Sequence, residues 1–411
     1  MIYLIQLFIE KKGTVHNMNA FSYRIQTLQP SAIREILKFT ADPTVISFAG
    51  GNPAPEAFPV EAIRQITADI LENDPVGALQ YSISEGYGPL RDWIKDDLYS
   101  KGMFNWNDDD VIITAGAQQV MEMTAKVICN EGDAIICEAP SFIGSLNAFR
   151  SYNAKLVGVP MESDGMDINA LEQALKDNPR TAFIYVIPNF QNPTGITTSL
   201  EKRKAILELA YKYNVLVLED NPYGDLRFAG EAIPSIRSLD KKGHVIYAGT
   251  FSKTLSPGLR VGYMCAENSI IQKAICALQV STVHTSILSQ RIVHQFVTRN
   301  NFGEHIQNLQ EIYRKKCDLM LNCLKYKMPQ SISFTEPDGG LFIWGTLPEG
   351  DMQYFCKKAV ENKVAVVPGN AFLVDEKQPT LSFRVNYSTP SDEQIEKGTD
   401  ILAAVAKTMY K

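Results

Sequence analysis

No block of basic residues appears in this chain, and its formal net charge is −6. That argues against nucleic acid, whose partners carry a cationic stripe. Neither C-x-x-C nor H-E-x-x-H spacing occurs, so no structural zinc site is expected. The seven cysteines are odd in number and scattered. Cys129, Cys137, Cys265 and Cys276 fall in apolar context, as small core residues do, which reads as a reducing cytoplasm. No apolar run approaches the length that spans a bilayer. Met1-Ile-Tyr-Leu-Ile-Gln-Leu-Phe-Ile9 is the nearest, and it is far too short. Lys11 and Lys12 follow this run, whereas a secretory signal has its cations first, and no small-residue cleavage site comes after. Met18 is therefore expected to be the natural start, with residues 1–17 a mis-called or disordered extension. A membrane-surface anchor is the alternative. Internal repeats and low-complexity tracts are also lacking.

What is present is an ordinary globular composition, 45% hydrophobic and 21% charged, over 411 residues, more than one ordinary domain holds. Strand-like apolar runs alternate with amphipathic stretches. The runs begin at Asp110, Ala134, Lys155, Ala182, Asn214, His244 and Arg260; helical patterns cover 118–130, 168–176 and 199–213. This alternation predicts an α/β sheet covered on both faces. Thr198-Ser-Leu-Glu201 has capping-box spacing. A long helical pattern then runs from Ile287 to Leu324, followed by short strands at 331–335, 341–345, 364–367 and 381–386 around a helix at 352–363, a separate α+β unit.

Three segments carry chemistry. The first is Thr250-Phe-Ser-Lys-Thr-Leu-Ser-Pro-Gly-Leu-Arg-Val-Gly-Tyr263. It sets Lys253 at the end of a buried strand, the place where parallel sheets bind ligands. An amine in such a partly dry place has a lowered pKa and condenses with carbonyls. Thr250, Ser252 and Arg260 supply hydroxyls and a planar cation, equipment for a phosphate dianion. Lysine plus phosphate cup points to pyridoxal phosphate; a basic surface loop is the plain alternative. The second is Ala182-Phe-Ile-Tyr-Val-Ile-Pro-Asn-Phe-Gln-Asn-Pro-Thr-Gly195, with Asn192 just beyond a strand end. The third is Asn214-Val-Leu-Val-Leu-Glu-Asp-Asn-Pro-Tyr223, an apolar run ending in Asp220 with Tyr223 three residues on. A buried carboxylate keeps a pyridine nitrogen protonated, and Asn192 and Tyr223 can donate to the ring's phenolic oxygen. Taken alone, Asp220 reads equally as a cap or turn residue.

In this order the three segments resemble the class I/II, fold type I pyridoxal-phosphate-dependent aminotransferases, from about Phe21 to the C-terminus. The 2-aminoadipate and kynurenine subgroup is the nearest match. It is carried by Ser31-Ala-Ile-Arg-Glu-Ile-Leu-Lys38, Ile46-Ser-Phe-Ala-Gly-Gly-Asn-Pro-Ala-Pro-Glu56 and Pro337-Asp-Gly-Gly-Leu-Phe-Ile-Trp344. The resemblance implies a large domain with a mostly parallel, seven-stranded sheet (residues 58–300), a small C-terminal domain (301–411) and an arm that folds partly with it (18–57). It also implies a cytoplasmic homodimer with shared active sites.

The remaining candidates each carry a plain alternative. Thr114-Ala-Gly-Ala-Gln-Gln-Val120 reads strand, glycine turn, helix, so backbone donors at Ala117 and Gln118 suit a phosphate. Many relatives have a hydroxyl where Ala117 stands. By resemblance Phe142 stacks on the pyridine ring, and Tyr81 reaches the phosphate in the neighbouring subunit; either could be a core aromatic. Arg384 is the only cation in Leu381-Ser-Phe-Arg-Val-Asn-Tyr387 and matches an α-carboxylate bidentately, with Asn192 and the Gly51 backbone completing that site. An ion pair with an acid is the alternative. Arg34 is expected to face the distal end of the substrate, or else solvent. The reaction implied is amino transfer from an L-amino acid (2-aminoadipate, aromatic or branched aliphatic) to a 2-oxo acid, with Lys253 moving the Cα proton and ping-pong kinetics. A carbon–sulfur lyase uses nearly the same residues. A MocR-type regulator carries this fold as an effector domain, but needs a DNA-binding domain ahead of it.

Overall fold

The structure is a computed structural model that describes residues 21–26, 28 and 42–410. The proposed extension 1–17 and Arg34 lie outside the described residues. A short arm carries strand β1 (Ile46–Ser47), which pairs in parallel with Val364 and Ala365. The main sheet follows as β2 (Asp109–Thr114), β3 (Ala134–Ala139), β4 (Lys155–Glu162), β5 (Gly165–Met166), β6 (Thr181–Val186), β7 (Leu216–Asp220), β8 (Val245–Thr250) and β9 (Gly262–Glu267). Their spatial order is β2-β9-β8-β7-β6-β3-β4-β5. Neighbours from β8 through β7, β6 and β3 to β4 are parallel. β9 runs against both β2 and β8. The seven expected strands are present, and β5 adds a two-residue return at the edge.

Central strands buried on both faces read as continuous apolar runs because helices cover either side. Ile135, Cys137, Phe183, Tyr185, Leu218 and Ile246 face a core that includes Val120, Met121 and Met123 of the helix Ala117–Ile128. Their sequence neighbours Ile136, Ile184, Val217 and Val245 face the opposite core, built on helices Ile168–Asp177 and Leu200–Tyr213. One face therefore holds every second residue, as the two-residue period demands.

Local details depart from the sequence reading. Ser199, not Thr198, caps the helix Leu200–Tyr213, its Oγ accepting from the Lys202 N–H at 3.4 Å. Thr198 is buried and spends its own N–H on the Pro188 carbonyl. The long helical pattern is two helices, Ile287–Arg299 and Phe302–Lys327, with Asn301 capping the second through Glu304 N–H. Beyond them β10 (Ser333–Phe334), β11 (Phe342–Thr346), β12 (Val364–Ala365), β13 (Val367–Pro368) and β14 (Ser382–Asn386) complete the strands. Four of these form a smaller antiparallel sheet in the order β10-β11-β14-β13. The single strand expected over 364–367 is divided between two partners: β12 takes the arm, and β13 takes β14.

Candidate active site

The carboxyl ends of β2, β3, β6, β7 and β8 and the start of β9 share one edge of the main sheet, as the pairing registers require. There the sheet meets the smaller domain across a cavity of about 320 Å³. Of the candidate site residues that the structure describes, all line this cavity except Tyr81.

Two turns make the anion cup. Gly116, at φ 76°, caps the helix Ala117–Ile128 and offers no side chain to its first N–H groups. A Cβ at Gly262 would sit 2.7 Å from the Gly116 carbonyl carbon, so β9 approaches this turn closely only because residue 262 is glycine. Arg260, itself left-handed at φ 55°, lays its guanidinium across the turn and donates from Nη2 to the Ala115 carbonyl at 2.7 Å. The Thr250 hydroxyl donates to Ser252 Oγ at 2.9 Å, and Arg260 Nη1 lies 3.5 Å from that same oxygen. Free helix N–H groups, two hydroxyls and a cation converge, the donor set an anion needs.

Lys253 follows this cup. Its Nζ donates to the Gly51 carbonyl at 2.6 Å, and burial pulls the ammonium down to about 8, helped by Arg384 and Arg260. Asp220 ends β7 with only 4% exposure. Its Oδ2 accepts from the Tyr185 hydroxyl at 2.8 Å, while Oδ1 is buried without a partner among the described residues. Burial raises this carboxyl to about 7 against the lowering pull of that hydroxyl. Tyr223 accepts from Asn192 Nδ2 at 3.4 Å, and burial lifts its phenol above its ordinary value.

Arg384 is 2% exposed and ion-pairs with no carboxylate among the described residues. Nη1 donates to Asn192 Oδ1 and Nη2 to the Ala49 carbonyl, both at 2.7 Å. Its guanidinium lies over Phe342 at 4.3 Å and over Phe372 at 4.8 Å. Burial lowers it to about 10, still charged at neutral pH. A cation held only by neutral groups, with Nε buried and unpaired, is equipped for an anion from outside. Phe142 walls the cavity, and Gly144 makes room for it, since a Cβ there would come within 2.6 Å of the ring.

The family model for aminotransferase class I and II matches residues 43–402. The chain belongs to the class I and II aminotransferases. It is 39% identical over 396 residues to aromatic-amino-acid aminotransferase 1 of Thermococcus litoralis, covering 95% of both chains. It is 38% identical over 392 residues to the 2-aminoadipate transaminase of Thermus thermophilus, covering 94% of this chain and 96% of that one. The kynurenine aminotransferase of Pyrococcus horikoshii, solved in complex with PMP, superposes with a TM-score of 0.91 at 36% identity, over 95% of this chain and 98% of that one. The fold is thus the type I fold of the pyridoxal-phosphate enzymes, and the enzyme transfers amino groups.

The cofactor expected from sequence fits the residues of this aminotransferase. The unpaired Oδ1 of Asp220 offers an acceptor for a pyridinium N–H, the cup offers donors for a 5′-phosphate, and Lys253 offers the amine. Tyr81 lies apart from this cavity at 82% exposure, edge-on to His284 at 5.9 Å, so it is not a core aromatic. Sequence reading missed four contributors. Phe342 and Phe372 sandwich Arg384. Glu138 accepts from Ile187 N–H and Gln191 Nε2, tying the Phe142 turn to the Asn192 turn, and burial lifts it to about 8. Tyr185 holds Asp220. Its signal was a hydroxyl inside an apolar strand, where a phenylalanine would pack as well.

A larger cleft, about 980 Å³, lies beside the site and shares only Pro222 and Thr250 with it. The chain Asn189–Asn221–Tyr247 crosses its lining as satisfied hydrogen bonds, and Arg227, which leaves Nη2 unpaired there, has the Asp338 carboxylate 3.7 Å from Nη1, an acid that Arg384 lacks among the described residues.

Proposed function

We propose that this aminotransferase moves the amino group of an L-amino acid with an aromatic, 2-aminoadipate or branched aliphatic side chain to 2-oxoglutarate, with pyridoxal 5′-phosphate as cofactor and by a ping-pong sequence. One observation carries the reading: Lys253 shares one cavity with a carboxylate that has an open acceptor, Asp220, and an arginine that has no acid among the described residues, Arg384. The bound cofactor supplies the electron sink for the charge left when the substrate Cα–H bond breaks. Arg384 and Asn192 orient the substrate α-carboxylate, with the Gly51 backbone beside them. Asp220 would keep the ring nitrogen protonated, and Asn192 and Tyr223 would face the phenolic oxygen. Thr250, Ser252, Arg260 and the N–H groups of Ala117 and Gln118 would hold the phosphate, and Phe142 would stack on the ring. Lys253 would hold the cofactor through Nζ, and as a free amine it would take the Cα proton; a value near 8 leaves a working fraction neutral near pH 7.

The enzyme acts as a homodimer whose Tyr81 enters the partner's phosphate site. Tyr81, Val76, Leu79, Ile83 and Val280 are all more than half exposed, and Ser82 N–H donates to His284 Nε2, joining the two segments into one apolar surface. Arg34 reads a distal carboxylate when the substrate has one. Seven free thiols, five of them buried, favour a reducing cytoplasm. Among the described residues no helix is long and apolar enough to cross a membrane. We divide the chain into an arm (18–57), a large domain (58–300) and a small domain (301–411), a reading supported by a cavity lining that draws on Gly51, Lys253 and Arg384.

Borohydride treatment of the cofactor-loaded protein tests this directly. Peptide mapping is expected to find the label at Lys253, and kcat/KM is expected to favour 2-aminoadipate or an aromatic donor. A label elsewhere defeats the assignment of Lys253; pyruvate release from cystathionine would instead reveal a carbon–sulfur lyase.

A further inference from the structure

Asp220 is held by a side chain that the proposed reaction does not use. Tyr185 sits on β6, one strand over from Asp220, at 0% exposure and edge-on to Phe149 at 5.2 Å. Packing alone needs only a phenyl ring there. Its hydroxyl instead lies between two partners, Asp220 Oδ2 at 2.8 Å and Ser145 Oγ at 2.8 Å. An ionised carboxylate only accepts, so Tyr185 commits its single proton to Asp220, and Ser145 must donate to Tyr185. Ser145, from the helix Ile143–Arg150, lines the cavity. The result is a directed chain, Ser145 to Tyr185 to Asp220, that occupies one carboxylate oxygen and leaves the other open to the cavity.

We propose that Tyr185, oriented by Ser145, is a positioning residue: by occupying Asp220 Oδ2 it fixes the carboxylate so that Oδ1 alone meets the ring nitrogen of the cofactor. This rests on the pyridoxal phosphate reading and deepens it. The hydroxyl also favours the ionised form of Asp220, which burial otherwise opposes. The other titratable groups around the same space are Lys253, Tyr223, Arg260 and Arg384, with Glu138 behind. Glu138, raised to about 8, is largely neutral at pH 7 and adds little competing negative charge.

The test measures affinity of the cofactor-free protein for pyridoxal 5′-phosphate and for its analogue with C–H in place of the ring nitrogen. The ratio of the two isolates the Asp220 contact from phosphate binding. Wild type is expected to prefer the natural compound. Tyr185→Phe is expected to cut that preference roughly tenfold, the worth of one hydrogen bond to a buried charge. It is also expected to move the pH at which the preference fades upward, because the carboxylate has lost a donor. Ser145→Ala should do the same to a smaller extent, and it carries the test if Tyr185→Phe fails to fold. Kinetic readout should show kcat falling with the amino-acid KM unchanged. An unchanged ratio and unchanged pH midpoint in both variants overturns the role of Tyr185. Equal binding of the two compounds by wild type would instead sink the Asp220 assignment, and binding of neither would sink the cofactor.

Discussion

Glu219 and Asp220 are neighbours on β7, both buried, and they point to opposite faces of the sheet. Glu219 has both oxygens satisfied, by the backbone N–H of Ile236 at 3.0 Å and of Arg237 at 2.7 Å. Asp220 has one oxygen satisfied and one open. The buried arginines divide the same way. Arg203 spends its donors on the carbonyls of Thr198, Pro188, Ile233 and Pro234 and on Asn189 Oδ1, whereas Arg384 keeps Nε unpaired and lies between two rings. In these two pairs the member away from the cavity is closed and the member lining the cavity retains an open valence, although buried atoms elsewhere, such as Glu138 Oε1 and Thr124 Oγ1, are also unpaired among the described residues. An open valence stabilises nothing until the ligand arrives, so its loss should cost activity without costing stability.

The largest expected effect comes from exchanging the two acids. Asp220→Asn is expected to lower turnover about a thousand-fold, the scale of losing a preorganised charge in a dry site. The same change should stabilise the cofactor-free protein. Burial raises Asp220 from 3.8 to about 7, so ionisation costs the folded state stability. That cost is absent below 3.8, grows as pH rises, and is complete above about 7. The melting temperature of Asp220→Asn should therefore exceed wild type at neutral and higher pH, with the gain shrinking towards zero as pH falls to 3.8. Glu219→Ala should do the reverse, keeping turnover in the folded fraction while losing about 3 kcal/mol, because two buried N–H groups lose their acceptor. A stabilised Glu219→Ala or a destabilised Asp220→Asn at neutral pH would break the distinction.

Arg384→Lys comes next. A point charge replaces a planar fork, so KM for the amino acid should rise roughly ten- to a hundred-fold with cofactor affinity unchanged. An unaltered KM would place Arg384 with Arg203 as architecture. The smallest effect is expected from Arg34→Ala, which should weaken 2-aminoadipate selectively, by roughly tenfold in kcat/KM, and spare phenylalanine. An equal loss for both removes Arg34 from substrate reading.

Much of the site was legible in the sequence because its parts announce themselves locally. Lys253, Asp220 and Asn192 each stand where an apolar run gives way to turn residues, and Arg384 is a lone cation in an apolar strand. Strand ends of one parallel sheet meet at one edge, so marking the ends located the cavity. Tyr185 and Phe372 gave weaker signals. Each reads as core in its own segment and gains its role only from a residue on another strand, Tyr185 from Asp220 and Phe372 from Arg384, whereas Glu138 ends an apolar run as Asp220 does and was passed over. The helix cap at Ser199 and the division of residues 364–367 were misread for a related reason. Thr198 had a better partner in Pro188 than in its own helix, and Val364 and Ala365 had one in the arm.

By itself, then, the order of apolar runs and edge residues determined the α/β sheet, the cofactor class and which residues would gather at the sheet edge, because backbone periodicity and residue chemistry are local. Only the tertiary structure decided which buried polar groups are closed and which stay open. Hydrogen-bond satisfaction depends on partners that the chain brings together only on folding, as Ile236 reaches Glu219 and Tyr185 reaches Asp220.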